Sequence, residues 1–132
     1  MNIKFTRIAI AVSVAEVLGI LSLGILVDLF GPSDRAATQA FAERLGLWVG
    51  PISGFIFCLL GAFWVARRLS DAHLANGLAL GVAASSLDVG FLIAMGVSFE
   101  PIIAISNTCR IVAGAIGGWL AGRPRSKKNN PY

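Results

Sequence analysis

The stretch that decides the fold is residues 6–30, TRIAIAVSVAEVLGILSLGILVDLF, a nearly uninterrupted apolar run. A helix needs about 20 apolar residues to cross the hydrocarbon core of a bilayer. Inside that core only helices and closed barrels satisfy their own backbone polar groups, and barrel strands alternate polar with apolar residues. This run does not alternate, and it is too long for the core of a signal peptide. The sequence therefore predicts a retained transmembrane helix.

Three more apolar runs follow, over residues 48–66, 73–98 and 101–122. Charged residues make up 14% of the chain, whereas soluble domains carry about a quarter. We predict an all-α fold: one four-transmembrane-helix bundle over residues 1–122, followed by a basic cytoplasmic tail over residues 123–132.

The longest predicted loop carries a helical pattern of its own over residues 34–46, DRAATQAFAERLG. Its apolar residues recur at helical spacing, while Arg35, Gln39 and Glu43 lie away from that stripe. Two interpretations stay open: a short amphipathic helix at the outer interface, or a plain connecting helix. Pro51 is expected in the first turn of the second span, where its missing N–H costs least.

The positive charge is concentrated at particular helix ends. The first span begins beside Lys4 and Arg7, and basic residues also follow the second and fourth spans. The positive-inside rule assigns these ends to the cytoplasm. We predict a multi-pass protein of a bacterial cytoplasmic membrane, with both termini in the cytoplasm. Its partners would be the lipid bilayer and a second copy or another membrane protein, and no base-reading motif points to nucleic acid.

The two halves of the chain resemble each other weakly. Aligning Glu16 with Asp88 pairs AVSVAEVLGILSLGI with AASSLDVGFLIAMGV, and FWVARR falls on GWLAGR near the ends of the second and fourth spans. This pattern indicates two parallel helical-hairpin repeats, an arrangement found in transporters. Chance similarity between apolar helices is the alternative.

Three charged residues fall near mid-membrane depth: Glu16, Asp88 and Arg110. Each costs at least about 2.5–3.5 kcal/mol to insert, so such residues face a bundle interior and mark candidate sites. Ser106 and Asn107 share the Arg110 face and complete the polar set. Small residues that allow close helix packing lie on the same faces, namely Gly77, Gly81, Gly114 and Gly118.

The short turn about Phe99 makes a pairing prediction. Asp88 and Arg110 each lie eleven positions from it, hence about 16 Å along their helices, close to the bilayer midplane. We predict that these two side chains form an ion pair. Glu16 is the rival partner, and its carboxyl is expected to be protonated unless water or Arg110 reaches it.

No catalytic chemistry is evident in the sequence. It contains no phosphate-binding loop, metal-ligand cluster or catalytic motif, so we predict no enzyme, cofactor or metal. Cys58 and Cys109 fall within apolar runs and are interpreted as packing residues. His73, the only histidine, is interpreted as a solvated boundary residue.

The segment Ala15-Glu16-Val17-Leu18-Gly19 resembles the first helix of the small multidrug resistance transporters, which also have four helices. That resemblance implies proton-coupled export of cations, with Glu16 as the exchanging carboxyl. The chain lacks the lysine later in the first helix and the third-helix tryptophan that the family carries.

Two functions therefore stand as expectations. The first is a structural or accessory membrane protein stabilised by buried acid–arginine contacts. The alternative is a proton-coupled small-solute or cation transporter acting as a homodimer.

Overall fold

The computed structural model describes residues 3–69, 71–96, 98 and 100–123. These residues form four helices: α1 (Phe5–Phe30), α2 (Arg35–Ala66), α3 (His73–Ala94) and α4 (Pro101–Ala121). No strand occurs among the described residues. All four helices are long and apolar enough to cross a membrane, so the predicted four-helix fold class is confirmed. The basic tail after Arg123 lies outside the described residues.

Helix α2 differs from the prediction at its start. The expected loop over residues 34–46 is helical and runs without a break into the second span, giving one helix of 32 residues. The Asp34 carboxylate caps this helix by accepting a hydrogen bond from the Ala37 N–H at 2.9 Å. The prediction of a separate interfacial or connecting helix was therefore wrong, because no residue between the cap and Leu45 breaks a helix.

Pro51 consequently lies in the interior of α2 rather than in its first turn. Proline has no backbone N–H, so the carbonyl of Leu47, one turn earlier, loses its usual helical partner. The first-turn placement failed because it depended on a helix start near Trp48.

Helix α3 also differs, since it ends at Ala94 and not at Ser98. Gly96 adopts a left-handed conformation (φ 68°), which favours glycine and stops the helix. Helix α4 begins at Pro101 as the sequence predicts, with proline in the first turn, where it is tolerated. Phe99, the predicted centre of the turn, lies outside the described residues.

Helices α3 and α4 pack closely through their glycines. A Cβ at Gly81 would lie 2.8 Å from the Arg110 carbonyl oxygen, and one at Gly118 would lie 3.0 Å from the Gly77 Cα. Gly114 faces Gly77 and Gly81 in the same contact. These four glycines therefore let the two backbones touch, as small residues do in membrane helix pairs.

Helix α1 lies at the edge of the bundle. It packs against α2 and α3, but no described Cα atom of α1 lies within 8 Å of one in α4. Most of its large apolar side chains are exposed, including Ile20 at 63% and Leu29 at 68%. Such a surface suits contact with lipid or with another membrane helix.

The chain forms two consecutive hairpins, α1–α2 and α3–α4. At one end of the bundle, Asn76 accepts a hydrogen bond from the Lys4 N–H at 2.9 Å, which places the starts of α1 and α3 together. We call this the terminal end, and the opposite end, with the connections after α1 and α3, the turn end. The parallel hairpins agree with the repeat pattern, while a true duplication stays a prediction.

Candidate functional site

Arg110 is the centre of a buried charged cluster. Its side chain is 8% exposed and forms ion pairs with Glu16 Oε1 through Nη1 and with Asp88 Oδ1 through Nη2, the latter at 3.3 Å. The structure thus brings the three mid-depth charges together. The two partners considered as rivals, Asp88 and Glu16, both contact the same guanidinium. We call Glu16, Asp88 and Arg110 the charged triad.

The arginine reaches Glu16 by crossing α2. A Cβ at Gly54 would lie 2.8 Å from Arg110 Nε and 3.2 Å from Cζ. Gly54 therefore provides the gap through which the guanidinium passes from α4 to α1. Gly50 and Gly54 have the four-residue spacing of a helix-packing motif in the sequence, but helical periodicity does not identify the neighbouring helix. Its role depends on α2 lying between α1 and α4.

Asn107 positions the second carboxylate. Its Nδ2 group donates to Asp88 Oδ2 at 3.0 Å and to the Ile103 carbonyl at 2.9 Å. The Ser85 hydroxyl donates to the Asn107 backbone carbonyl at 3.0 Å, which ties α3 to α4 at the same level. The sequence places Asn107 on the Arg110 face and Ser85 close to Asp88, but the bond between Ser85 and Asn107 follows only from the packing of α3 against α4.

Two buried polar atoms of the site lack a hydrogen-bond partner within the described structure: Arg110 Nε and Asn107 Oδ1. Buried polar groups are normally satisfied, so such atoms are typical of sites that take water or a ligand. Ser106 is also buried, at 7% exposure, and no hydrogen bond of its hydroxyl occurs among the described residues.

A cavity of about 140 Å³ lies between α1 and α2 and is lined by Glu16, Gly54 and Arg110. It shares Ile20 and Leu23 with a wider crevice of about 620 Å³ at the turn end of the bundle. The Glu16–Arg110 contact is therefore bordered by space that leads toward one end of the helices.

A second cavity of about 150 Å³ lies between α2 and α4 and reaches the other carboxylate. Asp88 and Ser106 line it, together with Leu47 and Pro51 from the interior of α2. The triad thus has open space on both the Glu16 and the Asp88 side.

The formal charge of the triad does not balance. Arg110 contributes one positive charge, whereas Glu16 and Asp88 contribute two negative charges when both are ionised. A net charge of minus one is costly at membrane depth, so the site favours binding of one proton or one monovalent cation. Within the described residues no group of three or more His, Cys, Asp or Glu side chains could hold a metal ion.

The remaining candidates are the two cysteines and the histidine. Cys58 is buried, Cys109 is half-buried, and both are free thiols. His73 lies beside Gly122 at the terminal end, where the guanidinium of Arg123 stacks on Trp119 at 3.7 Å. Of these side chains, Cys58 lines the cavity beside Glu16 and Arg110, whereas His73 lies in a separate crevice with Trp119 and Arg123.

Comparison of the chain with protein-family models, with curated proteins and with solved structures finds no match. The resemblance of the first helix to small multidrug resistance transporters therefore stays a prediction.

Proposed function

We propose that the chain is a multi-pass membrane protein with a structural or accessory role, and that the charged triad holds its helices in one arrangement. The observation that carries this proposal is the position of Arg110, which joins α4 to α1 and α3 while passing over α2. A buried ion cluster is a poor source of net stability, but it disfavours every packing that leaves a charge unpaired.

The exposed position of α1 supports an accessory role. In the part of the chain that the structure describes, this helix packs on two neighbours, and a broad apolar face of it stays uncovered. A bundle held internally by the triad could present that face to a helix of another membrane protein.

The accessory role is tested by affinity purification from native membranes, followed by crosslinking from α1. A specific partner should crosslink to Ile25, on the exposed side of α1, and should be lost in Arg110→Gln. Asp28→Asn, an exposed carboxylate on the same helix, is the matched control and should keep the partner. A protein that purifies without a partner and also transports a solute would contradict the proposal.

The second candidate is a proton-coupled small-solute or cation transporter acting as a homodimer. It is favoured by the cavity beside Glu16 and by the surplus negative charge of the triad. In liposomes with an imposed pH gradient, such a protein should show saturable uptake that is lost in Glu16→Gln and kept in Asp28→Asn. Absence of uptake in every gradient would exclude it.

The proposed setting is a bacterial cytoplasmic membrane with both termini inside. This orientation follows from Lys4, Arg7, Arg67 and Arg68, which all lie at the terminal end. Single cysteines replacing Ser33 and Ser126 in a cysteine-free background test it with an impermeant maleimide. Labelling of the first but not the second in intact cells is expected, and the reverse pattern would invert the topology.

A further inference from the structure

We propose that the cavity beside Asp88 is a sodium-binding site. Its ligands would be the Asp88 carboxylate, the Ser106 hydroxyl and the backbone carbonyl of Leu47, with water completing the shell. This site is distinct from the Glu16 side of the triad and does not depend on the accessory role proposed above.

The Asp88 carboxylate is weakly paired. Its Oδ1 lies 3.3 Å from Arg110 Nη2, longer than the roughly 2.7–2.9 Å of strong charge-assisted hydrogen bonds. Within the described residues, its Oδ2 accepts one hydrogen bond, from the neutral Asn107 amide. Because Arg110 also pairs with Glu16, the negative charge of Asp88 is only partly compensated. A cation in the adjoining cavity would complete the balance.

Ser106 lines the same cavity as Asp88. Serine and threonine on membrane helices commonly donate to the carbonyl one turn earlier, as Ser86 and Thr108 do here at 2.9 and 2.8 Å. Ser106 is more than nine-tenths buried and lines the Asp88 cavity, yet its hydroxyl makes no such bond within the described part of the chain. Its oxygen is therefore available to a ligand in that cavity.

The carbonyl of Leu47 lacks its usual helical hydrogen-bond donor. Pro51 supplies no N–H to it, and both residues line the cavity. Backbone carbonyls released from helical bonding are the groups that coordinate sodium at mid-membrane sites in transporters. An interior proline at this point costs helix stability, and the cost is offset if the released oxygen coordinates an ion.

The size and chemistry of the cavity favour sodium over a proton. A volume of about 150 Å³ matches roughly five waters at about 30 Å³ each, enough for a partly hydrated ion. A proton on Asp88 would need neither the cavity nor the two additional oxygens. The single surplus charge of the triad matches a monovalent ion, and carboxylate, hydroxyl and carbonyl oxygens are ligands for hard cations.

The experiment measures binding of radioactive sodium to the purified full chain in lipid nanodiscs, by scintillation proximity with unlabelled competitors. We expect saturable binding that NaCl competes and that choline chloride at equal ionic strength does not. The melting temperature should rise by several degrees in NaCl relative to choline chloride, because the ion binds only the folded state. Absence of saturable binding would overturn the proposal.

Three variants locate the site. Ser106→Ala should weaken sodium binding about tenfold or more, since a ligand to a charge is lost. Pro51→Ala should weaken it similarly while improving the helix, so a folding defect cannot explain the result. The matched control is Ser86→Ala, because the Ser86 hydroxyl is exposed and hydrogen-bonded within α3. This variant should bind sodium as the wild type does.

Equal sodium affinity in Ser106→Ala, Pro51→Ala and wild type would overturn the assignment of the ligands. A melting temperature that depends on pH but not on sodium would assign the charge balance to a proton and would also overturn it. This assay measures sodium binding without solute flux and without a partner protein. A negative result would therefore not contradict the accessory or the transporter proposal.

Discussion

Gly54→Ala tests whether the position of the Arg110 guanidinium requires the gap that Gly54 leaves in α2. A Cβ at this position would lie 2.8 Å from Nε, so the arginine must withdraw by about 0.6 Å to reach ordinary contact at 3.4 Å. Its bond to Asp88 is already long at 3.3 Å, and the shift would weaken or break an ion pair. Losing a buried ion pair outright lowers the free energy of unfolding by about 3–5 kcal/mol, whereas alanine in place of a helical glycine raises it by about 0.5–1 kcal/mol. We expect a net loss of about 1–3 kcal/mol.

The matched control is Gly50→Ala, one turn earlier on α2, where an added Cβ would meet nothing within 4 Å. This variant should be neutral or more stable by up to about 1 kcal/mol. Both variants are compared by unfolding in mixed micelles titrated with sodium dodecyl sulfate. In an Arg110→Gln background, Gly54→Ala should lose its penalty, because the clashing group is gone. Equal stability of Gly54→Ala and Gly50→Ala in the wild-type background would refute the crossing of Arg110 over α2.

Two further predictions concern the α3–α4 contact. Arg110→Gln should destabilise the bundle by about 3–5 kcal/mol, and Asp88→Asn should destabilise it by less, because Arg110 still pairs with Glu16. The double variant should lose less stability than the sum of the two single losses. Strictly additive losses in the same unfolding assay would refute the ion pair. Gly81→Ala should cost about 1–3 kcal/mol, because its Cβ would lie 2.8 Å from the Arg110 carbonyl oxygen and the Ile111 Cα. Gly90→Ala, with nothing within 4 Å, is its control, and equal stability of these two glycine variants would contradict the close helix contact.

The sequence predicted the Asp88–Arg110 ion pair, but the reason, equal depth of the two residues, was wrong. The Arg110 carbonyl lies against Gly81, about two turns before Asp88 on α3, so the pair depends on the length of the arginine side chain. The glycine faces gave the side on which α3 and α4 meet, and Gly77, Gly81, Gly114 and Gly118 all lie in that contact. Local sequence patterns did not predict the helix ends correctly. Residues 34–46 are helical within α2, since the Asp34 cap starts a helix that Pro51 does not stop.

The sequence by itself determined that this protein has four membrane-length helices with charges at mid-depth, because hydrophobic run length and the insertion cost of charge are properties of single segments. Only the tertiary structure decided how those charges are shared. Arg110 meets Glu16 as well as Asp88 because α2 lies between α4 and α1 and offers a glycine at the crossing. Likewise, Ser106, Asp88 and Leu47 border one cavity because three helices converge there. Helical periodicity gives the face of each residue, but the neighbour of each face depends on how all the helices pack together.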